Sequence, residues 1–240
     1  MKFKFSALAA IAAALAVTAT AQVPQEAAIR KGLAERGFPQ IDSVARSPIA
    51  GLFEVKLDQD LYYTDAEGQY IVQGEIIDLK TRRNLTQDRL NKLYGIDFDK
   101  LPLKDAVVWK TGTGARRIAV FSDPNCGYCK RFERELAGVK DLTVYTFLVP
   151  VLGGDSPEKV NAIWCAKDPT QAYRNWMVDG VEPPKLLGAC KSSPIERNVA
   201  LGRKHRVQGT PAIFFEDGTR VPGMLNAAQL EKQLAASSKS

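Results

Sequence analysis

A Cys-x-x-Cys pair set between a strand and a helix constrains this chain more than any other feature. Arg117 to Ser122 reads as an apolar strand, Cys126-Gly127-Tyr128-Cys129 follows within a few residues, and Cys126 to Leu136 carries a helical pattern closed by Gly138. A cysteine at a helix N-terminus faces unpaired N–H groups and the positive end of the dipole, which lowers its pKa. Cys126 is therefore expected to be the exposed nucleophile. Cys129, one turn further in, is placed to attack a mixed disulfide that Cys126 makes.

The same spacing also occurs in half a zinc site. A closed structural site takes four ligands, typically two such pairs. Here the remaining cysteines, Cys165 and Cys190, are 25 positions apart and the single histidine is His205, so redox chemistry is favoured over metal and no metal is expected. His205 lies in Gly202-Arg203-Lys204-His205-Arg206, where a solvated side chain is the ordinary expectation. No G-x-S-x-G and no dinucleotide fingerprint is present. Asp97 and Asp99 read as solvated loop carboxylates.

Compartment strengthens the redox reading. Lys2 and Lys4 open the chain, Ala7 to Val17 is apolar without a charge, and Ala19-Thr20-Ala21 presents small residues where a signal peptidase cuts. A spanning helix needs about 20 apolar residues, and this run is closer to half that. Residues 1–21 are thus expected to be a signal peptide cleaved after Ala21, leaving an exported protein with no stable membrane anchoring and with oxidising chemistry available to its cysteines. Lys plus Arg number 33 against 27 Asp plus Glu. The basic residues are too dispersed for a nucleic-acid surface.

From Gln25 to Arg36 the apolar spacing is helical. Phe53, Val55 and Leu57 then alternate with charged residues, and Leu61–Thr64 and Gln69–Val72 flank the turn Asp65-Ala66-Glu67-Gly68. Gly74 to Leu79 reads as another strand. Helices are predicted over Asn84–Tyr94 and Leu103–Trp109. The second half alternates strand and helix: a strand at Leu142–Val149, helices opened by Ser156-Pro157 and by Ser193-Pro194-Ile195-Glu196, a hairpin around Asp217-Gly218, and a last helix from Asn226. That order is an α/β sandwich with a partly parallel sheet.

Three blocks make the chain recognisable: Val120-Phe121-Ser122-Asp123-Pro124-Asn125-Cys126-Gly127-Tyr128-Cys129-Lys130-Arg131-Phe132, then Ala162-Ile163-Trp164-Cys165-Ala166-Lys167-Asp168, then Gly209-Thr210-Pro211-Ala212. In that order they resemble the DsbC/DsbG family of periplasmic disulfide isomerases, with Gly127-Tyr128 closer to its isomerase branch. The resemblance implies an α+β and α/β chain: a cystatin-like dimerisation domain at 22–84, a helical linker at 85–109, and a thioredoxin-like catalytic domain with a helical insertion at 110–240. It also implies catalytic Cys126 and Cys129, a structural Cys165–Cys190 disulfide, and a cis-proline loop at Thr210-Pro211. Thr210, Pro211 and Tyr128 would bind substrate. Periplasmic location, a homodimer, mis-oxidised exported proteins as clients and a DsbD-like membrane reductant follow from the same resemblance. No bound cofactor is required. The strand before the pair, Ile118-Ala119-Val120-Phe121, holds no acid, so no carboxylate base for Cys129 is identified and water or substrate groups are left to take its proton.

The function expected first is isomerisation of wrong disulfides at Cys126. A net thiol oxidase or reductase uses the same pair in another direction. A chaperone with redox secondary is the reading from a different class.

Overall fold

The computed structural model describes residues 23–58, 60–186 and 188–237; the expected signal peptide and its cleavage point after Ala21 lie outside them. The chain divides into two compact units, with the boundary between Gly74 and Glu75.

In the first unit, helix α1 (Glu26–Ala34) precedes an antiparallel four-stranded sheet of β1 (Ser43–Arg46), β2 (Phe53–Leu57), β3 (Asp60–Thr64) and β4 (Ile71–Val72), paired in chain order. Ile29 and Leu33 share a helix face because they are four apart, and they form one buried cluster with Phe53 and Val55. The expected wet face of β2 is incomplete, since Glu54 is only 6% exposed. Asp65 shapes the β3–β4 turn by accepting hydrogen bonds from the backbone N–H groups of Gln69 and Tyr70. Gly68 there has φ +65° and lies against the Ile29 carbonyl, where a side chain has no room.

The second unit opens with a short hairpin, β5 (Ile77–Asp78) with β6 (Arg83–Asn84), briefer than the strand expected over Gly74–Leu79. Helix α2 (Leu85–Tyr94) starts where expected, because the Asn84 side chain accepts from the Gln87 N–H at 2.9 Å. The helix expected over Leu103–Trp109 is not formed. A 3₁₀ turn at Leu103–Asp105 leads instead into strand β7 (Val107–Lys110). Val107 and Trp109 are buried while Val108 and Lys110 are exposed, a period of two that suits a β-branched pair on a sheet edge. The last residues of the segment read as linker therefore belong to the second unit's sheet.

That sheet runs in the order β11-β10-β8-β9-β7. Its strands are β7, β8 (Arg116–Ser122), β9 (Leu142–Leu148), β10 (Ala212–Phe215) and β11 (Arg220–Pro222). Only β8 and β9 are parallel, with helix α3 (Gly127–Leu136) crossing between them; β10 pairs antiparallel to β8 and β7 antiparallel to β9. Consecutive residues of β8 face opposite layers. Ile118 and Val120 pack with Phe132 and Leu136 of α3 and with Leu230 and Leu234 of the last helix (Ala227–Ser237). Ala119 and Phe121 pack with Phe147 and Phe214 on the other side.

The helical insertion consists of α4 (Ser156–Trp164), α5 (Pro169–Arg174) with a π-helical turn at Asn175–Asp179, and α6 (Ile195–Lys204). Two expected caps are not made. Asp155, not Ser156, precedes α4, and the Ser156 hydroxyl instead donates to Asp123 at 2.8 Å. Pro194 precedes α6 without a side-chain cap. The last helix, α7, has the reciprocal arrangement: Gln229 N–H donates to Asn226 Oδ1 and Asn226 N–H to Gln229 Oε1.

Cys165, at the end of α4, is disulfide-bonded to Cys190 in the loop before α6. The bridge spans 25 residues, and closing such a loop restricts the unfolded chain by about 3 kcal/mol in the chain-entropy model. Replacing both cysteines by alanine is expected to lower unfolding free energy by about that amount, read from the urea midpoint of the two proteins under non-reducing conditions. An unchanged midpoint would remove the structural role.

Candidate active site

Cys126 is the N-cap of α3, and its Sγ accepts a hydrogen bond from the Cys129 N–H at 3.3 Å. The Cys126 thiol lies 3.2 Å from the Thr210 carbonyl oxygen, to which it donates. The Thr210–Pro211 peptide bond is cis. The structure thus brings Cys126, Cys129, Thr210 and Pro211 together. Tyr128 is 61% exposed beside them, with the Arg131 guanidinium 5.5 Å from its ring centre. Cys165 and Cys190 are bonded to each other and have no part in this thiol pair.

Cys126 is not the exposed nucleophile that its place at the start of a helix suggests. It is 5% accessible and Cys129 1%, both as free thiols above Val107, Leu148, Val160, Ile163, Tyr173 and Met177. A client disulfide therefore has to reach a thiol tucked under the Thr210 carbonyl.

Electrostatics separates the two sulfurs. The hydrogen bond from the Cys129 thiol, with help from the Thr210 side chain and from the N–H groups of Cys129 and Tyr128, outweighs burial and pushes Cys126 down to about 5. Burial, then the hydrogen bond with Cys126, pushes the Cys129 thiol far up. At neutral pH one sulfur is a thiolate and the other holds its proton. The rate of Cys126 carboxymethylation is accordingly expected to stay level between pH 8 and 6 and to fall through a midpoint near 5 as the thiolate is protonated. A midpoint at the ordinary thiol value would contradict the arrangement.

The loop ahead of the pair is held rigidly. Asp123 is fully buried and accepts from the Asn125 N–H, the Leu152 N–H and the Ser156 hydroxyl at 2.8–2.9 Å. The Pro124 carbonyl accepts from the Trp176 indole N–H at 2.6 Å, and Lys130 Nζ sits 3.6 Å over that indole ring. Ser156 and Trp176 were not identified from the sequence as site residues. Ser156 looked like a cap, and Trp176 lies in the π-helical turn after α5, an element the sequence reading did not include.

Glu133 was also missed. It is 1% exposed on the buried face of α3 with Cys129, Phe132 and Leu136, and its Oε1 accepts from the Tyr173 hydroxyl at 2.9 Å. Tyr173 in turn lies 3.0 Å from Ser122 Oγ and packs in the same buried cluster as Cys129, whose thiol the Ser122 side chain pulls down against burial. Strand β8 carries no carboxylate, whereas the acid stands four residues after Cys129 on the helix. The i, i+4 rule was the signal that pointed to it.

His205 differs from its expected solvated state. It is half-buried beside Phe214, its Nδ1 lies 3.1 Å from the Tyr94 carbonyl, and burial lowers its pKa. Its contacts are with Tyr94, Phe214 and Arg220 rather than with the cysteine pair. Among the described residues no group of three or more His, Cys, Asp or Glu gathers as a metal site requires, and no helix is long and apolar enough to cross a membrane.

Two family models match the chain. The disulfide bond isomerase protein N-terminal domain covers residues 20–87, and a thioredoxin-like domain covers residues 103–238. The probable thiol:disulfide interchange protein DsbC of Bordetella parapertussis is 47% identical over 219 residues, 90% of this chain and 77% of that protein. The thiol:disulfide interchange protein DsbC of Escherichia coli K12 is 32% identical over 204 residues, 82% of each. Among solved structures, a disulfide interchange protein from Neisseria gonorrhoeae is similar with a TM-score of 0.53 at 33% identity, covering 57% of this chain and 98% of that one.

Proposed function

The chain belongs to the DsbC family of thiol:disulfide interchange proteins, and from that membership we propose that it is a periplasmic disulfide isomerase working through Cys126 and Cys129. The observation that carries the reading is the asymmetric pair: a thiolate-prone Cys126 at the tip of α3, under the Thr210 carbonyl, backed by a buried, protonated Cys129. Cys126 attacks a wrong client disulfide and forms a mixed disulfide, releasing one client thiol. That thiol then attacks elsewhere in the client, or Cys129 displaces the client and leaves the enzyme oxidised.

In this reading Thr210, Pro211 and Tyr128 hold the client strand beside Cys126, with main-chain hydrogen bonds as the source of affinity. Residues 22–84 form a dimerisation domain, 85–109 the linker and 110–240 the catalytic domain, with Val107–Lys110 contributing the edge strand to the latter's sheet. Clients are mis-oxidised exported proteins. The cycle needs Cys126 reduced, which a DsbD-like membrane reductant supplies.

Refolding of a scrambled-disulfide substrate, with and without a thiol reductant, tests the isomerase. Activity that needs only catalytic reductant supports it. Net oxidation or net reduction of the substrate, without reshuffling, favours the oxidase or reductase reading. A variant with both Cys126 and Cys129 replaced by alanine that still raises the refolded yield marks the chaperone.

A further inference from the structure

We propose that Glu133, acting through the hydroxyls of Tyr173 and Ser122, takes the proton from Cys129 when that thiol resolves the mixed disulfide on Cys126. The proposal rests on the assignment of Cys129 as the resolving thiol. The Tyr173 hydroxyl lies between Glu133 Oε1 and Ser122 Oγ, Tyr173 packs in the same buried cluster as Cys129, and the Ser122 side chain acts on the Cys129 thiol; each of the four is no more than 1% exposed. Buried polar groups are ordinarily satisfied, but this line is not closed at its far end. Glu133 Oε2 has no hydrogen-bond partner, and the Trp109 indole N–H that faces it does not complete one. An ionised carboxylate so placed is costly, and a glutamine would offer Tyr173 the same acceptor without that cost.

The hydroxyl geometry makes the line a relay. Tyr173 Oη is 2.9 Å from Glu133 Oε1 and 3.0 Å from Ser122 Oγ, and its one proton serves one of them at a time. With Glu133 ionised, Tyr173 donates to Glu133, Ser122 to Tyr173, and the Cys129 thiol to Ser122. Each proton then shifts one place. Glu133 becomes the carboxylic acid and donates to Tyr173, Tyr173 donates to Ser122, and Ser122 donates to the Cys129 thiolate. That thiolate attacks Cys126 Sγ; the Cys126–Cys129 bond forms, the bond from Cys126 to the client sulfur breaks, and the client leaves as a thiolate. The enzyme dithiol is oxidised and the client half-disulfide reduced, with no further reactant. Reduction of the enzyme runs the relay backwards.

Burial pushes Glu133 up to about 7, near working pH, where an acid–base group transfers protons best. The groups that face it are Tyr173 and Arg174 from α5, Trp109 from β7, and Cys129 from its own helix through the relay. Resolution should therefore quicken as pH rises through about 7, because only the ionised Glu133 can accept.

The test mixes the reduced full-length protein with oxidised glutathione, quenches with acid, and reads by mass the mixed disulfide and its conversion to the internal disulfide. In Glu133→Gln, formation should be unchanged while conversion slows by roughly 100-fold, the low end for a positioned acid–base group, and loses its pH step. Tyr173→Phe should match it, and the double variant should lose little more, since the two act as one path. If Tyr173→Phe does not fold, the near-isosteric Glu133→Gln decides alone. Conversion at the wild-type rate with the same pH profile, or equal slowing of both steps, overturns the relay while leaving the roles of Cys126 and Cys129 intact. A wild-type protein that forms no mixed disulfide on Cys126 overturns both.

Discussion

Replacing Cys126 by serine is expected to abolish thiol–disulfide exchange, and replacing Cys129 by alanine to trap clients as mixed disulfides visible on a non-reducing gel. The two outcomes differ because the sulfurs differ. Cys126 is pushed down to about 5 by the Cys129 thiol, the Thr210 side chain and the α3 N–H groups, so it is ionised at neutral pH; a serine hydroxyl there stays protonated and does not attack sulfur. Cys129 begins no reaction, since it keeps its proton and is buried, but without it the covalent complex has no internal exit.

The depressed value also sets the pH dependence of the reduced fold. Stabilisation by the Cys126 thiolate is fully present above the ordinary thiol value of 9.0 and fades as pH falls to about 5. The oxidised pair has no such contribution, so reduction is favoured more as pH rises from 5 towards 9 relative to an ordinary dithiol. A low-pKa sulfur is also a good leaving group, which lets a client thiol displace Cys126 again and suits reshuffling better than permanent capture. Alkylation that maps the fast thiol to Cys129 would reverse these assignments.

The second unit's sheet was legible where a pattern was local. The apolar run of β8, the amphipathic α3 and the hairpin at Asp217-Gly218 each declare themselves within ten or so residues. Val107–Lys110 did not, because four residues are too few to separate a strand from the end of a helix, and their burial depends on pairing with β9 some 35 residues later. The same limit hid the relay. Ser122, Tyr173 and Glu133 come from β8, α5 and α3, and only tertiary packing joins them. Asp168-Pro169 did carry a helix-start signal for α5: Asp168 accepts from the Gln171 N–H at 2.9 Å and Pro169 takes the first turn. Reading that signal would have placed Tyr173 on a helix, though not against Glu133.

Charging the β4 edge is expected to convert a dimer into a monomer that keeps its redox chemistry but loses isomerisation. In the first unit β4 pairs only with β3, and Tyr70 and Val72, two residues apart on the same face, are 70% and 49% exposed. An edge with exposed apolar side chains is a template for pairing with another copy. Edge-to-edge pairing would satisfy its backbone groups and bury both side chains, and it would bring two Cys126–Cys129 pairs onto one client. A client held at one site is then presented to the second at high effective concentration. In Tyr70→Asp/Val72→Asp, light scattering should read half the wild-type mass. Scrambled-substrate refolding should fall by roughly tenfold or more, the scale of a lost second attachment, while oxidation of the Cys pair by glutathione disulfide keeps its rate. A fragment starting at Glu75, which retains β7, should behave like the charged variant; one starting at residue 110 would also lose Val107 and Trp109 from the core. A full-length protein that is monomeric, or a fragment that isomerises as well as the whole, would refute the dimer as the basis of isomerase activity.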